Sequence, residues 1–288
     1  MNKVPRPTFD DQAALQNLAN NPRVGSYPAL QGAVAAILQG YAQYEDARGN
    51  ALTVVPVGVS PAVEAYLKAH YKKPPKDLEH ITSLREETEH LICPMCGSLH
   101  RGTLDHLLPQ RNHAAFVVFT LNLVPACKCN SKRQEVLLGP NANERILHPY
   151  FDDCLAERLI AAHFEDLGQV PRVGLRLIVG NTHPEYSAIN FHVSSIVERT
   201  AIKGYLRDQW IALCRKPSLV VRALKHNPPT HEALREILDE ELEMLDDTHQ
   251  GKNNWNSIFV SGLLDPLVSQ WIFQQMNANG RLPNAPLI

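Results

Sequence analysis

Two pairs of cysteines constrain this chain more than any other feature. Cys93 and Cys96 stand in CPMC, and Cys127 and Cys129 stand in CKCN, some thirty residues further on. The opening stretch, MNKVPRPTFDD, lacks the apolar core of a secretory signal. No run approaches the ~18 apolar residues of a membrane span. A cytosolic location is therefore expected, where thiols stay reduced. There, four of the six cysteines gathered into two close pairs point to metal rather than disulfide. A single C-x2-C can be a redox motif, a zinc knuckle or chance. A redox pair belongs at a helix N-terminus in a βαβ setting. Cys93 and Cys96 instead follow a helical run and lead into Gly97 and a strand. Two separated pairs can close a tetrahedral site of four thiolates and fix a segment with little core of its own. Zinc is the natural metal for such thiolates.

The rest of the composition is that of a globular protein. Of 288 residues, 44% are hydrophobic and 20% charged. The formal net charge is −2, so the whole chain supplies no attractive field for nucleic acid. A nucleic-acid function would need a local basic patch or a partner.

Hydrophobic periodicity divides the chain into a helical N-terminal region (1–90), a cysteine-bearing core (91–140) and a mostly helical C-terminal region with a short strand pair (141–288). In the first, PALQGAVAAILQGY places Leu30, Val34, Ile37, Leu38 and Tyr41 on one helical face. Ser60 and Pro61 read as N-cap and first helical position, and Asp77 as the cap of the next helix. In the second, TLDHLL and FVVFTLNLV have strand character, and NSKRQEVLL starts a helix. In the third, CLAERLIAAHFEDL reads as helix, VGLRLIVG and SAINFHVSSIV as strands, and HEALREILDEELEMLDD as a helix capped by Thr230. A last helix is expected after Pro266. The expected class is α+β, mostly helical.

Between the cysteine pairs lies TLDHLLP, with Asn122 in LNLVP and Asn130 directly after Cys129. An isolated Asp-His dipeptide is unremarkable, but here it is enclosed by the two pairs. CPMCG, TLDHLLP and NLVPACKCNSKR, in that order, resemble an HNH endonuclease of the ββα-metal fold, in the subgroup with a structural zinc knuckle. The resemblance covers roughly residues 91–135, with an echo in HPYFD at 148–152. Asn130 takes the position of the last His of the HNH name. The C-x-C of Cys127 and Cys129 departs from the family's usual C-x2-C.

The resemblance implies a metal-dependent endonuclease acting on DNA, with these residues in named roles. His106 resembles the general base that takes a proton from water. Asp105 and Asn130 resemble the ligands of a catalytic Mg²⁺ or Mn²⁺, both offering hard oxygen donors. Asn122 resembles the asparagine that ties the loop and orients the histidine. Cys93, Cys96, Cys127 and Cys129 would hold a structural Zn²⁺. Arg101, Arg111, Lys128, Lys132 and Arg133 make the segment locally basic, with Arg111, Lys132 and Arg133 the candidate phosphate contacts. His113 is a candidate for phosphate or metal, and His90 a substitute zinc ligand. His148 is expected to anchor a turn against this core, and Cys154 and Cys214 to be buried thiols. The competing reading is a catalytically silent, zinc-stabilised scaffold that binds DNA or protein. The flanks carry no DNA-reading motif. By analogy they suggest a docking frame for a partner such as an ATPase in bacterial anti-phage defence.

Overall fold

The computed structural model describes residues 1–86, 92–100 and 102–288. About half of them lie in helices, and the strands form two small antiparallel sheets, so the protein is α+β. Among the described residues no helix is long and apolar enough to cross a membrane.

The chain opens with helices α1 (Asp11–Asn20), α2 (Val34–Asp46), α3 (Pro61–Lys72) and α4 (Glu79–Glu86). Local chemistry sets their starts. Asp10 accepts from the Ala13 amide at 2.9 Å, and Ser60 from that of Val63 at 3.3 Å, with Pro61 in the first turn. Leu30, Ile37 and Tyr41 are buried, while Val34 and Leu38 pack at the margin. Asp77 does not cap α4. It sits in a 3-10 turn, Lys76–Leu78, and its carboxylate accepts from Asn21 Nδ2 at 2.7 Å.

Next come strands β1 (Thr103–His106) and β2 (Leu123–Ala126), paired antiparallel with Thr103 opposite Ala126 and His106 opposite Leu123. The second strand starts later than FVVFTLNLV suggested. Residues Ala114–Phe116 and Thr120–Asn122 are 3-10 turns, and Phe116 to Phe119 are buried. Periodicity alone does not separate a short buried strand from buried irregular chain. The helix expected from NSKRQEVLL is a single turn, α5 (Cys129–Lys132), and Gln134 follows at φ 57°.

The remaining elements are β3 (Ile160–Glu165), β4 (Arg172–Leu177), α6 (Tyr186–His192), α7 (Ile202–Arg215), α8 (His231–His249), α9 (Trp255–Leu263) and α10 (Pro266–Met276). β4 and α8 fall where expected, and Thr230 caps α8 by accepting from the Ala233 amide at 3.1 Å. Two stretches exchange their expected states. CLAERLIAAHFEDL holds a 3-10 turn and β3, whereas SAINFHVSSIV is α6 running on into a π-turn, Val193–Val197. The alanines of β3 favour helix locally, but α9 packs across this strand. A Cβ at Gly262 of α9 would stand 2.7 Å from the Ala162 side chain. Small residues on both sides permit that approach, and tertiary packing overrides propensity.

Two apolar cores result. One runs from Val4 to Phe151 and includes Ile196, so α1 to α4 and the β1–β2 hairpin share it. The other gathers Met1 with residues from Leu147 to Leu287.

Candidate metal centre and catalytic site

The sulfurs of Cys93, Cys96, Cys127 and Cys129 all lie within 4.8 Å of one another. Cys93 and Cys129 are 3.7 Å apart, and Cys96 and Cys127 are 3.5 Å apart. Sulfurs about 2.3 Å from a tetrahedral zinc stand roughly 3.8 Å from each other. The four cysteines can therefore hold a structural metal such as zinc. The short C-x-C is accommodated because Lys128 is helical (φ −58°) and starts α5 between the two sulfurs. The Cys129 amide donates to Cys127 Sγ at 3.4 Å, and the Cys127 amide to Cys93 Sγ at 3.3 Å. Such donors favour the thiolates a metal requires. His90 and Arg101 lie outside the described residues.

The CPMC turn is also the junction of the two cores. Its carbonyls are claimed one after another by distant donors. Pro94 O accepts from the Asn2 amide at 2.9 Å and Met95 O from His192 Nε2 at 2.7 Å. Cys96 O accepts from the Trp255 indole, and Gly97 O from the Trp255 amide, each at 3.0 Å. Gly97 has φ 76°, and a Cβ there would stand 2.0 Å from Asn253 O, so this position requires glycine.

Directly along the hairpin, His106 is 3% exposed. Its Nε2 is 2.8 Å from Val117 O, a carbonyl that can only accept. The Nε2 therefore carries the proton, and Nδ1 is the basic nitrogen. Gln110 Nε2 lies 3.1 Å from Nδ1, and Asp105 Oδ1 lies 3.9 Å from it. Burial holds the imidazole below its ordinary pKa, against the opposing pull of the Val117 carbonyl and of Asp105. The Tyr71 ring meets it edge-on at 4.3 Å, and the Arg85 guanidinium covers Tyr71 at 4.5 Å. Gln110, Tyr71 and Arg85 carry no signature in sequence. Two of them lie on helices far from TLDHLLP, and only folding brings them here.

Asn122 is fully buried and uses both ends of its carboxamide. Oδ1 accepts from the Leu108 amide at 2.8 Å, while Nδ2 donates to Leu108 O at 3.2 Å and Phe116 O at 3.1 Å. It thus ties the loop that follows His106 to the turn that precedes β2. His148 supports the same loop. Its Nδ1 accepts from the Tyr150 amide at 3.2 Å, so Nε2 donates, to Leu121 O at 3.1 Å. Burial pushes its pKa down to about 3.

Asn130 reaches Asp105, but by the wrong atom for a shared cation. Its Nδ2 donates to Asp105 Oδ2 at 2.9 Å and to His106 O at 3.0 Å. Its Oδ1 accepts from Arg133 Nε at 2.6 Å. Because arginine only donates and a carboxylate only accepts, the two partners fix the amide's orientation. Asp105 is partly exposed and offers a carboxylate, whereas Asn130 as placed does not offer its oxygen beside it. Arg133 also corrects an expectation. It is 1% exposed, with Nη1 donating to Val136 O at 2.9 Å and Nη2 to His106 O at 3.2 Å. It braces the hairpin from inside and does not reach outward to phosphate. Burial lowers its pKa to about 10.

Arg111, Lys128 and Lys132 are exposed, and Arg111 pairs loosely with Glu135 at 3.7 Å. Lys128 and Lys132 border a cavity of about 430 Å³ beside the knuckle. His113 is buried, its Nδ1 without a hydrogen-bond partner among the described residues, and burial lowers its pKa. Cys154 and Cys214 are buried, their thiols pushed up to about 12 and about 11.

No family model matches the sequence, and no solved structure matches it. A stretch of 62 residues is 34% identical to protein Ea31 of Escherichia phage lambda. That stretch is 21% of this chain and 21% of that protein, so the chain spans about a fifth of the relative it matches.

Proposed function

We propose that the protein is a metal-dependent endonuclease that hydrolyses phosphodiester bonds of DNA. The supporting observation is the state of His106. Its Nε2–H is spent on the Val117 carbonyl, which leaves Nδ1 basic, beside Asp105, on a hairpin anchored by the four cysteines. A neutral imidazole of depressed pKa keeps that lone pair at neutral pH and can accept a proton from water. Asn122 holds the loop that carries it. Asp105 would hold the divalent ion, which would neutralise phosphate charge and stabilise the leaving oxygen. Gln110 occupies the lone pair of Nδ1 and has to yield it to water.

The test is supercoiled plasmid with Mn²⁺ or Mg²⁺, reading nicked against linear product. His106→Ala is expected to lower nicking by about 10²–10⁴-fold, the range of a lost general base, with zinc content unchanged and the fold retained. The second reading is a zinc-stabilised scaffold without catalysis. The clasp of Arg133 on the Asn130 oxygen favours it. Wild type and His106→Ala equally inert over a range of metals, yet binding DNA equally, would establish the scaffold.

A further inference from the structure

The four knuckle cysteines are not equally protected. Cys93, Cys96 and Cys129 are buried, whereas Cys127 is only half-buried. Cys127 lines the cavity of about 430 Å³ that Lys128 and Lys132 border, together with Ser98, Thr200 and Trp255. Neither Asp105 nor His106 lines it, so this cavity is not the one used for water activation. Two donors hold the Cys127 sulfur, the Cys129 amide at 3.4 Å and Ser98 Oγ at 3.6 Å. The sulfurs also sort into two close couples. Cys127 stands 3.5 Å from Cys96, and Cys93 stands 3.7 Å from Cys129. Oxidation of cysteine follows thiolate character and access, and a second thiol within reach turns the first product into a disulfide. Cys127 meets all three conditions, with Cys96 as the second thiol.

We propose that Cys127 is an oxidation site for hydrogen peroxide, and that its oxidation closes a Cys96–Cys127 disulfide and releases the knuckle's zinc. The Cys127 thiolate attacks one peroxide oxygen, the O–O bond breaks, and hydroxide leaves. Cys127 is then a sulfenic acid. The Cys96 thiolate attacks that sulfur, the S–O bond breaks, and a second hydroxide leaves. Two thiolates thus give two electrons to one peroxide and become one disulfide. The gap between the sulfurs has to close to about 2.05 Å. Cys93 and Cys129 alone are too few to complete a tetrahedral site of four thiolates. The loss is felt on both sides of the knuckle. Cys129 opens α5, and the next residue is Asn130, which holds Asp105 at 2.9 Å. On the other side, Cys96 O accepts from the Trp255 indole at 3.0 Å. A dithiol reverses the change by exchange, and zinc can then return. The inference rests on the four-cysteine metal centre and is independent of the nuclease reading.

The zinc-loaded full chain is treated with rising equivalents of hydrogen peroxide. A colorimetric chelator reads released zinc, dimedone traps sulfenic acid, and mass spectrometry of unreduced peptides maps the disulfides. Dimedone is expected on Cys127 first, followed by the Cys96–Cys127 disulfide, with one zinc released for each disulfide formed. Trp255 emission should shift in step, and dithiothreitol with added zinc should restore it. The buried Cys154 and Cys214 should stay reduced. Cys127→His keeps a zinc donor but removes the reactive thiolate, so it should retain zinc and release it several-fold more slowly. Should that variant fail to fold, the dimedone map of the unaltered chain still decides. Dimedone capture first at Cys93, Cys96 or Cys129 overturns the proposal. So does a first disulfide that excludes Cys127, zinc retained under excess peroxide, or a chain that binds no zinc. None of these readouts involves DNA, so a failed nuclease assay leaves the result standing, and the reverse holds too.

Discussion

At Asn130 two partners compete for one carboxamide. Asp105 takes its nitrogen and Arg133 its oxygen. The sequence makes Asn130 legible as a neighbour of Asp105, because the motif fixes their order and the knuckle fixes their approach. It does not reveal Arg133, which reads as one more surface cation in NSKRQ. Burial of that side chain depends on the single-turn length of α5, which brings the guanidinium back over the end of β1. Arg133→Ala would strand Asn130 Oδ1 and the Leu107 carbonyl in a buried site. The expected cost is about 3 kcal/mol of unfolding free energy, read by urea denaturation, since hydrogen bonds to charged groups carry about 1.5–3 kcal/mol each. Arg133→Lys should be intermediate, because it keeps the charge and loses the fork. An Arg133→Ala protein as stable as wild type would show that these contacts are dispensable.

Among the elements, the CPMC turn has the widest reach. The carbonyls of Pro94, Met95, Cys96 and the adjoining Gly97 are held by the Asn2 amide, by α6 and by the first residue of α9. Metal at the knuckle should therefore stabilise parts of the protein that hold no ligand. Stripping the metal with a chelator is expected to lower the melting temperature and to shift the emission of Trp255, whose indole donates to Cys96 O. A Trp255→Phe control separates this signal from Trp210 and Trp271, which stack on each other at 5.3 Å in the second core. Unchanged emission after complete metal removal would refute the coupling. Legibility varied for a physical reason at this scale. Elements with strong local punctuation, such as α3, α8 and α10, stand where their caps and prolines put them. β3 and α6 do not, because their small and β-branched residues answer to α9 and to the second core rather than to their own backbone.

Across the whole molecule, buried histidines set the response to acid. His148 is held down to about 3 and His192 to about 4, both by burial. In the unfolded chain each titrates near ~6.5. Between those values the unfolded state binds more protons, so stability is full above about pH 6.5 and falls as pH drops. Asp11 acts oppositely. Its carboxyl is raised to about 6, so the folded state holds a proton that the unfolded state gives up. The two histidines outweigh the one carboxyl, and His106 and His113, also held down by burial, act in the same direction, so stability falls as pH drops below about 6. Protonation of the thiolates adds to it in the same direction. Urea unfolding over a pH series checks this, and His148→Gln should flatten the slope by about one group's worth. A flat profile in wild type would exclude it.

The sequence by itself determined the chemistry that local order can encode. It placed four cysteines to close one site despite a shortened pair, put Asp105 and His106 on one strand, and marked helix starts with Ser60, Thr230 and Pro266. Ligand spacing, strand alternation and capping all act over a few residues, so they can be read without the fold. Only the tertiary structure decided which nitrogen of His106 is basic, which atom of Asn130 faces Asp105, and that Arg133 points inward. It alone showed that the knuckle joins two cores and that Cys127 is the least buried of its cysteines. These depend on contacts between residues far apart in the chain, where packing rather than local propensity chooses the outcome.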